Sequence, residues 1–303
     1  MMSPIELRDL SKTFGEVVAV NDLDLTVDEG EIYGFLGPNG AGKTTTIDMM
    51  LDFVRPTNGT VRLFGLDPRE HPYEVRQRTG VLPEGFGVYD RLTGRRHVEF
   101  IIDSKDLDED PMALLERTGI ADAADRKAGG YSTGMRQRLG LAMALAGEPD
   151  LLILDEPSTG LDPNGAREMR EVIKTERDRG ATVFFSSHIL EQVEAVCDRV
   201  GILKEGRLVA EDSINGLRSA IGDGGRIVIT VDDAEVAATA VSKVNGVTGI
   251  ETAPEQLRVS IGEARKLEIL EAIDEAGVEI FDFRTEELPL AELFRVYTSE
   301  ATT

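Results

Sequence analysis

Over residues 1 to about 220, short β-rich runs alternate with helical patterns. Strands are expected at residues 5–10, 17–20, 23–27, 31–35, 60–63, 81–82, 151–154, 183–185 and 200–203. Runs 151–154 and 183–185 are continuously apolar, the pattern of strands covered on both faces by helices. This alternation predicts an α/β core with a mainly parallel sheet. The early strands, joined by short turns such as Asp28-Glu29-Gly30, read as an antiparallel β layer at its edge. Residues 91–148 carry helical patterns around 97–102, 111–118 and 133–146 with no strong strand, so they read as a helical insertion. After the glycine-rich break Gly222-Asp223-Gly224-Gly225 the pattern restarts as β-α-β-β-α-β, at 226–231, 234–244, 247–251, 257–260, 264–276 and 279–285. That order predicts a small ferredoxin-like α+β domain over 226–299. An amphipathic stretch, 288–297, closes it.

A length of 303 residues and a hydrophobic content of 41% suit one large domain and a small one. No apolar run approaches the roughly 18–20 residues that span a bilayer. The opening Met1-Met2-Ser3-Pro4-Ile5-Glu6 lacks a signal-peptide pattern, so a cytoplasmic location is expected. The one cysteine, Cys197, has no sequence partner for a disulfide or metal site and reads as a small buried hydrophobe.

Charge narrows the partners. Lys and Arg total 33 against 56 Asp and Glu, a net of −23. A field of that sign repels phosphate backbones, so nucleic acid is excluded as a partner. Scarce lysine beside excess carboxylate fits a halophilic protein, because salt screens the self-repulsion. On that reading, circular dichroism should show lost structure at low ionic strength.

Candidate chemistry starts at Gly37-Pro38-Asn39-Gly40-Ala41-Gly42-Lys43-Thr44, which fits G-x-x-x-x-G-K-[ST]. A strand pattern precedes it and a helical run from Thr45 follows. Glycines let backbone N–H groups turn inward around phosphates, and the helix N-terminus adds positive dipole. Lys43 is expected on the β- and γ-phosphates and the Thr44 hydroxyl on Mg²⁺. Asp155-Glu156 ends the apolar run 151–154, and acids at the carboxyl edge of a parallel sheet face the ligand crevice. Asp155 suits the Mg²⁺ shell. Glu156 suits activation of a water. His188, just past another buried strand, could bond the γ-phosphate. Glu156, His188 and Lys43 are the catalytic candidates.

Tyr131-Ser132-Thr133-Gly134-Met135-Arg136-Gln137-Arg138 resembles the signature motif of ABC ATPases. With the phosphate cradle before it and the acid pair after it, the resemblance covers residues 1–220. It implies that Phe14 stacks on adenine and that residues 37–45 bind ATP. It implies that Ser132 and Gly134 reach the γ-phosphate of ATP held by a second subunit. It also implies that Ser158-Thr159-Gly160-Leu161-Asp162 crosses the dimer interface and that His188 is the switch histidine. Two positions depart from the family pattern. Glu84 stands where a Mg²⁺-contacting glutamine is usual, and Thr133 stands for the commoner glycine, as in exporter-like members. The C-terminal unit looks like the accessory domain of some drug or polysaccharide exporter ATPases, and a haloarchaeal source would fit the charge. The expected activity is ATP hydrolysis with Mg²⁺. The expected partners are a second copy or paired ATPase subunit and a separate transmembrane permease, which would hold the chain at the inner face of the cell membrane. The competing reading is a soluble ABC ATPase with no transport role, which usually carries long coiled coils or tandem cassettes. This chain shows neither.

Overall fold

The computed structural model describes residues 3–220, 226–261, 266–286 and 290–299. The chain divides into two compact units, Met1–Glu211 and Asp212–Thr303.

The first unit opens with β1 (Ile5–Phe14), β2 (Val17–Val27), β3 (Ile32–Leu36), α1 (Lys43–Met50) and β4 (Asn58–Leu63). Strands β2-β1-β4 form a separate three-stranded antiparallel sheet. Its buried face packs with Tyr33, Phe35 and Phe184 into one core, where Tyr33 and Phe184 stack at 5.8 Å. Next come α2 (Pro72–Arg78), β5 (Thr79–Leu82) and the helical region, α3 (Gly94–Ser104), α4 (Pro111–Arg117) and α5 (Thr133–Ala144). Thr93, Asp110 and Ser132 cap these three helices with side-chain oxygens, satisfying N–H groups the helix itself leaves unpaired.

The chain then returns through β6 (Leu151–Asp155), α6 (Pro163–Arg179), β7 (Thr182–Ser187), α7 (Leu190–Glu194), β8 (Arg199–Lys204) and β9 (Arg207–Ser213). The main sheet has the order β5-β6-β7-β3-β8-β9. Pairs β5/β6, β6/β7, β7/β3 and β3/β8 are parallel, and every residue of β3, β6 and β7 is buried. Strand β9 and helix α2 are additions to the elements expected from the sequence pattern.

The second unit holds α8 (Ile214–Ala220), β10 (Arg226–Val231), α9 (Ala234–Val241), β11 (Val247–Ala253), β12 (Gln256–Ile261), α10 (Lys266–Glu275), β13 (Ile280–Glu286) and α11 (Leu290–Ser299). Its sheet, β11-β12-β10-β13, is antiparallel throughout. An apolar cluster including Ile227, Ile229, Val259, Ile269 and Ile273 forms its core. The glycine-rich break at 222–225 lies outside the described residues. The division between units falls before α8, whereas the sequence pattern drew it after that helix.

Candidate functional site

Strands β3, β6 and β7 end side by side. Leu36 is level with Ser187, and Asp155 with Ser186. The glycine loop after β3, the acid pair closing β6 and His188 after β7 therefore leave the sheet at one edge. Open parallel sheets bind ligands at this edge.

Glycine is required in the loop for two physical reasons. A Cβ at Gly37 would sit 2.6 Å from the Leu203 carbonyl oxygen, and one at Gly42 would sit 2.4 Å from that of Ala19. Gly42 also holds a φ of +108°, a backbone that side chains disfavour. It caps α1 with no side-chain hydrogen bond, so the first N–H groups of the helix remain for an anion. Pro38, Asn39 and Gly40 are exposed, and Ala41 is buried.

Lys43 opens α1, is buried, and donates from Nζ to Gly37 O at 2.8 Å. The same nitrogen is 3.5 Å from Glu156 Oε1. That is an ionic contact longer than a good hydrogen bond, and Oε1 has no hydrogen-bond partner among the described residues. The other oxygen, Oε2, is 2.8 Å from His188 Nδ1. Glu156 is 4% exposed and takes a φ of +49°, uncommon for a residue with a side chain. Its carboxylate is thus held between a lysine and a histidine, with one oxygen unbonded.

Asp155 is equally buried. Burial raises its carboxyl above the usual range, and the charges of Glu84 and Glu156 add to this. Bonds from Ser186 and Thr44 oppose them. The single Thr44 hydroxyl proton is shared with Glu84, whose Oε2 lies 3.2 Å from Oγ1. A cleft of 230 Å³ opens between the glycine loop, the start of α1 through Thr45, Glu84 and Glu156, a size that suits phosphate groups. A roomier cavity of 630 Å³ lies away from this edge, between α4, α5 and α6. Its Arg117 and Arg138 pair with Glu176 and Glu168.

Phe14, Ser132, Gly134 and His188 are not among the residues lining the smaller cleft. Phe14 ends β1, 48% exposed, with Lys12 Nζ 4.7 Å from its ring centre. Ser132 caps α5 from an exposed position, accepting from Met135 N at 3.3 Å. Gly134 packs against Leu161, which a Cβ would approach to 3.2 Å. Two contributors had no role in the sequence analysis. Ser186 Oγ donates to Asp155 Oδ1 and accepts from Glu156 N at 3.0 Å. Gln137 Nε2 donates to Glu156 O at 3.4 Å. The available signal for Ser186 was a hydroxyl directly after the buried apolar run 183–185.

The sequence profile described as ABC transporter matches residues 20–159. The chain is 41% identical over 227 residues to the bacitracin transport ATP-binding protein BcrA of Bacillus licheniformis, covering 72% of each chain. It is 33% identical over 304 residues to the daunorubicin/doxorubicin resistance ATP-binding protein DrrA of Streptomyces peucetius, covering 97% of this chain and 92% of that one. Among solved structures it resembles a dimeric bacterial ABC transporter cassette, with a TM-score of 0.64 and 25% identity over 69% of this chain and 98% of the other.

Proposed function

This chain belongs to the ATP-binding subunits of ABC transporters, and we propose that it is the motor of an exporter whose pore is a separate polypeptide. ATP hydrolysis is the activity of such cassettes, and one is known in a dimeric, post-hydrolysis state bound to ADP and Pi. The relatives named for bacitracin transport and for daunorubicin/doxorubicin resistance support outward movement of a drug-like cargo. No described helix is long and apolar enough to cross a membrane. The motor would act at the inner face of the cell membrane through its permease.

The observation that carries the reading is the Glu156 carboxylate held between Lys43 and His188 beside the glycine loop. In this reading the loop N–H groups and Lys43 Nζ hold the β- and γ-phosphates, and Phe14 offers its exposed face to adenine. Asn39 and Thr45 border the same phosphates. Glu156 Oε1, the unbonded oxygen, accepts the proton of the attacking water, and His188 fixes the carboxylate's orientation.

The oxygens of Thr44, Glu84 and Asp155 suit Mg²⁺. Among the described residues, no three His, Cys, Asp or Glu side chains could hold a metal alone. Mg²⁺ at nucleotide sites takes one or two protein oxygens and fills the rest from phosphates and water. Burial and like charge around Asp155 also make a site that a cation would relieve. When bound, Mg²⁺ neutralises charge on the β- and γ-phosphates. The 25% identical dimeric cassette supports pairing of two copies, in which Ser132 and Gly134 of one reach the terminal phosphate on the other.

Glu156→Gln is the test. Turnover should fall by about 10²–10⁴-fold, and gel filtration with saturating Mg-ATP should show a stable dimer. A variant that stays monomeric there would sink the shared-site reading.

A further inference from the structure

The two edges of the C-terminal sheet differ. Strand β11 closes one of them, and a register shift between Val247 and Gly249 interrupts its ladder, a feature that discourages strand addition. Strand β13 closes the other as Ile280-Phe281-Asp282-Phe283-Arg284-Thr285-Glu286. It pairs with β10 on one side and with no described strand on the other.

The β13 edge is poorly guarded. Phe281 is 58% exposed and Phe283 53%. Phe283 lies opposite Ile229 of the core, so its ring stands on the sheet's apolar face at the rim. Between the two rings, exposed Asp282 has no ion-pair partner among the described residues. Arg284 is exposed on the same face as Asp282 and, among the described residues, reaches only along its own strand, to Glu286 at 3.1 Å. Native edge strands usually carry charge or proline in place of large apolar groups.

Laid antiparallel against itself about Phe283, this strand is self-complementary. Phe283 meets Phe283 of the second copy, Asp282 meets Arg284, Arg284 meets Asp282, and Phe281 meets Thr285. Aromatic pairs and opposite charges directly across a ladder are the pairs that stabilise antiparallel sheets. A two-fold axis makes such a contact with one patch used twice. Strand β11 has a single charged residue, Glu251, and can form no such pair with itself.

We propose that β13 is an interface for a second copy of this chain, the two C-terminal sheets joining edge to edge around Phe283. The surface is small, so the contact is weak alone and strengthens where another contact already holds two copies together. It does not require the nucleotide-held dimer.

Disulfide trapping in the full-length chain tests this, because its one cysteine, Cys197, is buried. Phe283→Cys should cross-link into a dimer under mild oxidation, faster with ATP present. Thr252→Cys on β11 should not. The experiment is run at about 0.15 M salt, where charges beyond roughly 8 Å are screened, so the net −23 of each copy does not mask local pairing. Adding Asp282→Arg sets Arg against Arg284 and should slow cross-linking about tenfold. Adding Arg284→Asp as well restores opposite pairs and should return the rate to within about twofold. Cross-linking no faster than the Thr252→Cys control would overturn the interface, as would indifference to the charge swap. The Glu156→Gln gel filtration reads the nucleotide-held dimer separately, so failure of either idea is seen on its own.

Discussion

The carboxyl edge of the parallel sheet and the core of the C-terminal sheet bury their residues on opposite principles. Every buried polar or charged residue among those described lies in the first unit, including Lys43, Asp155, Glu156 and Ser186. Among the described residues the C-terminal core is wholly apolar, and that unit's charges lie outside it, on the outer faces of helices, on strands and in turns. Buried polar groups depend on one another, because removing one leaves its partner desolvated and unpaired. Apolar cores lose stability in proportion to the volume removed and little else. Substitutions at the first should therefore change chemistry steeply, and substitutions at the second should change stability.

Beyond Glu156, the largest effect is expected at Gly42. Alanine there would bring a Cβ to 2.4 Å from a carbonyl oxygen in a backbone of φ +108°, so the loop must move. Nucleotide affinity should fall more than about 100-fold, as a loop shift misplaces several N–H donors at once. Titration with a fluorescent ATP analogue measures it, and an unchanged Kd would show that the loop is not held by Ala19.

Ser186→Ala comes next. One hydroxyl orients Asp155 and receives the N–H of Glu156, yet Ser186 is not among the residues lining the cleft. The loss should appear in kcat, about tenfold or more, with KM for ATP changed less than about threefold. A larger change in KM than in kcat would make Ser186 a support for binding only.

These two residues also mark what could be read from the chain alone. The glycine loop, the acid pair and His188 are short local patterns at strand ends, so their meeting at one edge follows once the parallel sheet is expected. Ser186 is different. Its partner Asp155 lies 31 residues earlier, a distance that no spacing rule links. Elements were missed for equally physical reasons. Strand β9, Arg207–Ser213, is partly polar with no clean alternation, and α2 has seven residues with only Val75 buried. Strand β2 looked like two runs, 17–20 and 23–27, because polar residues interrupt it. Asp22 there takes a φ of +56°, and the ladder to β1 continues past it with a shifted register. The proposed pairing of sites between copies comes only from the family resemblance, because residues that would meet across a dimer leave no pattern within one chain.

In the apolar unit, Ile229→Ala removes a fully buried side chain from the centre of the sheet. It should cost about 2–5 kcal/mol of that unit's stability, read as a lower denaturation midpoint in urea. ATP turnover should stay within about twofold. A proportionate loss of turnover would show that the two units act as one, and the contrast drawn here would fail.

The smallest effect sharpens the contrast from the other side. Burial raises the Asp155 carboxyl, and Glu84 and Glu156 add to the shift. The folded state therefore holds this proton more tightly than the unfolded chain does. The resulting stability is full below the ordinary carboxylate range and is lost as pH rises through the raised folded value. At neutral pH, without nucleotide, an ionised Asp155 is thus a net cost to the fold. Asp155→Asn keeps the shape and an acceptor oxygen for Ser186 while removing that charge. Its melting temperature should exceed that of the unaltered chain by a few degrees at most. Many other carboxylates titrate in the same range, so the difference between the two proteins at each pH is the quantity to follow. That difference should grow with pH through the raised value and then level off. Saturating Mg-ATP should reverse the order, because only the unaltered chain keeps the acid proposed to meet the metal. A variant less stable than its parent at neutral pH, or a difference flat with pH, would mean that the Ser186 and Thr44 bonds outweigh burial. The buried acids would then stabilise the resting fold.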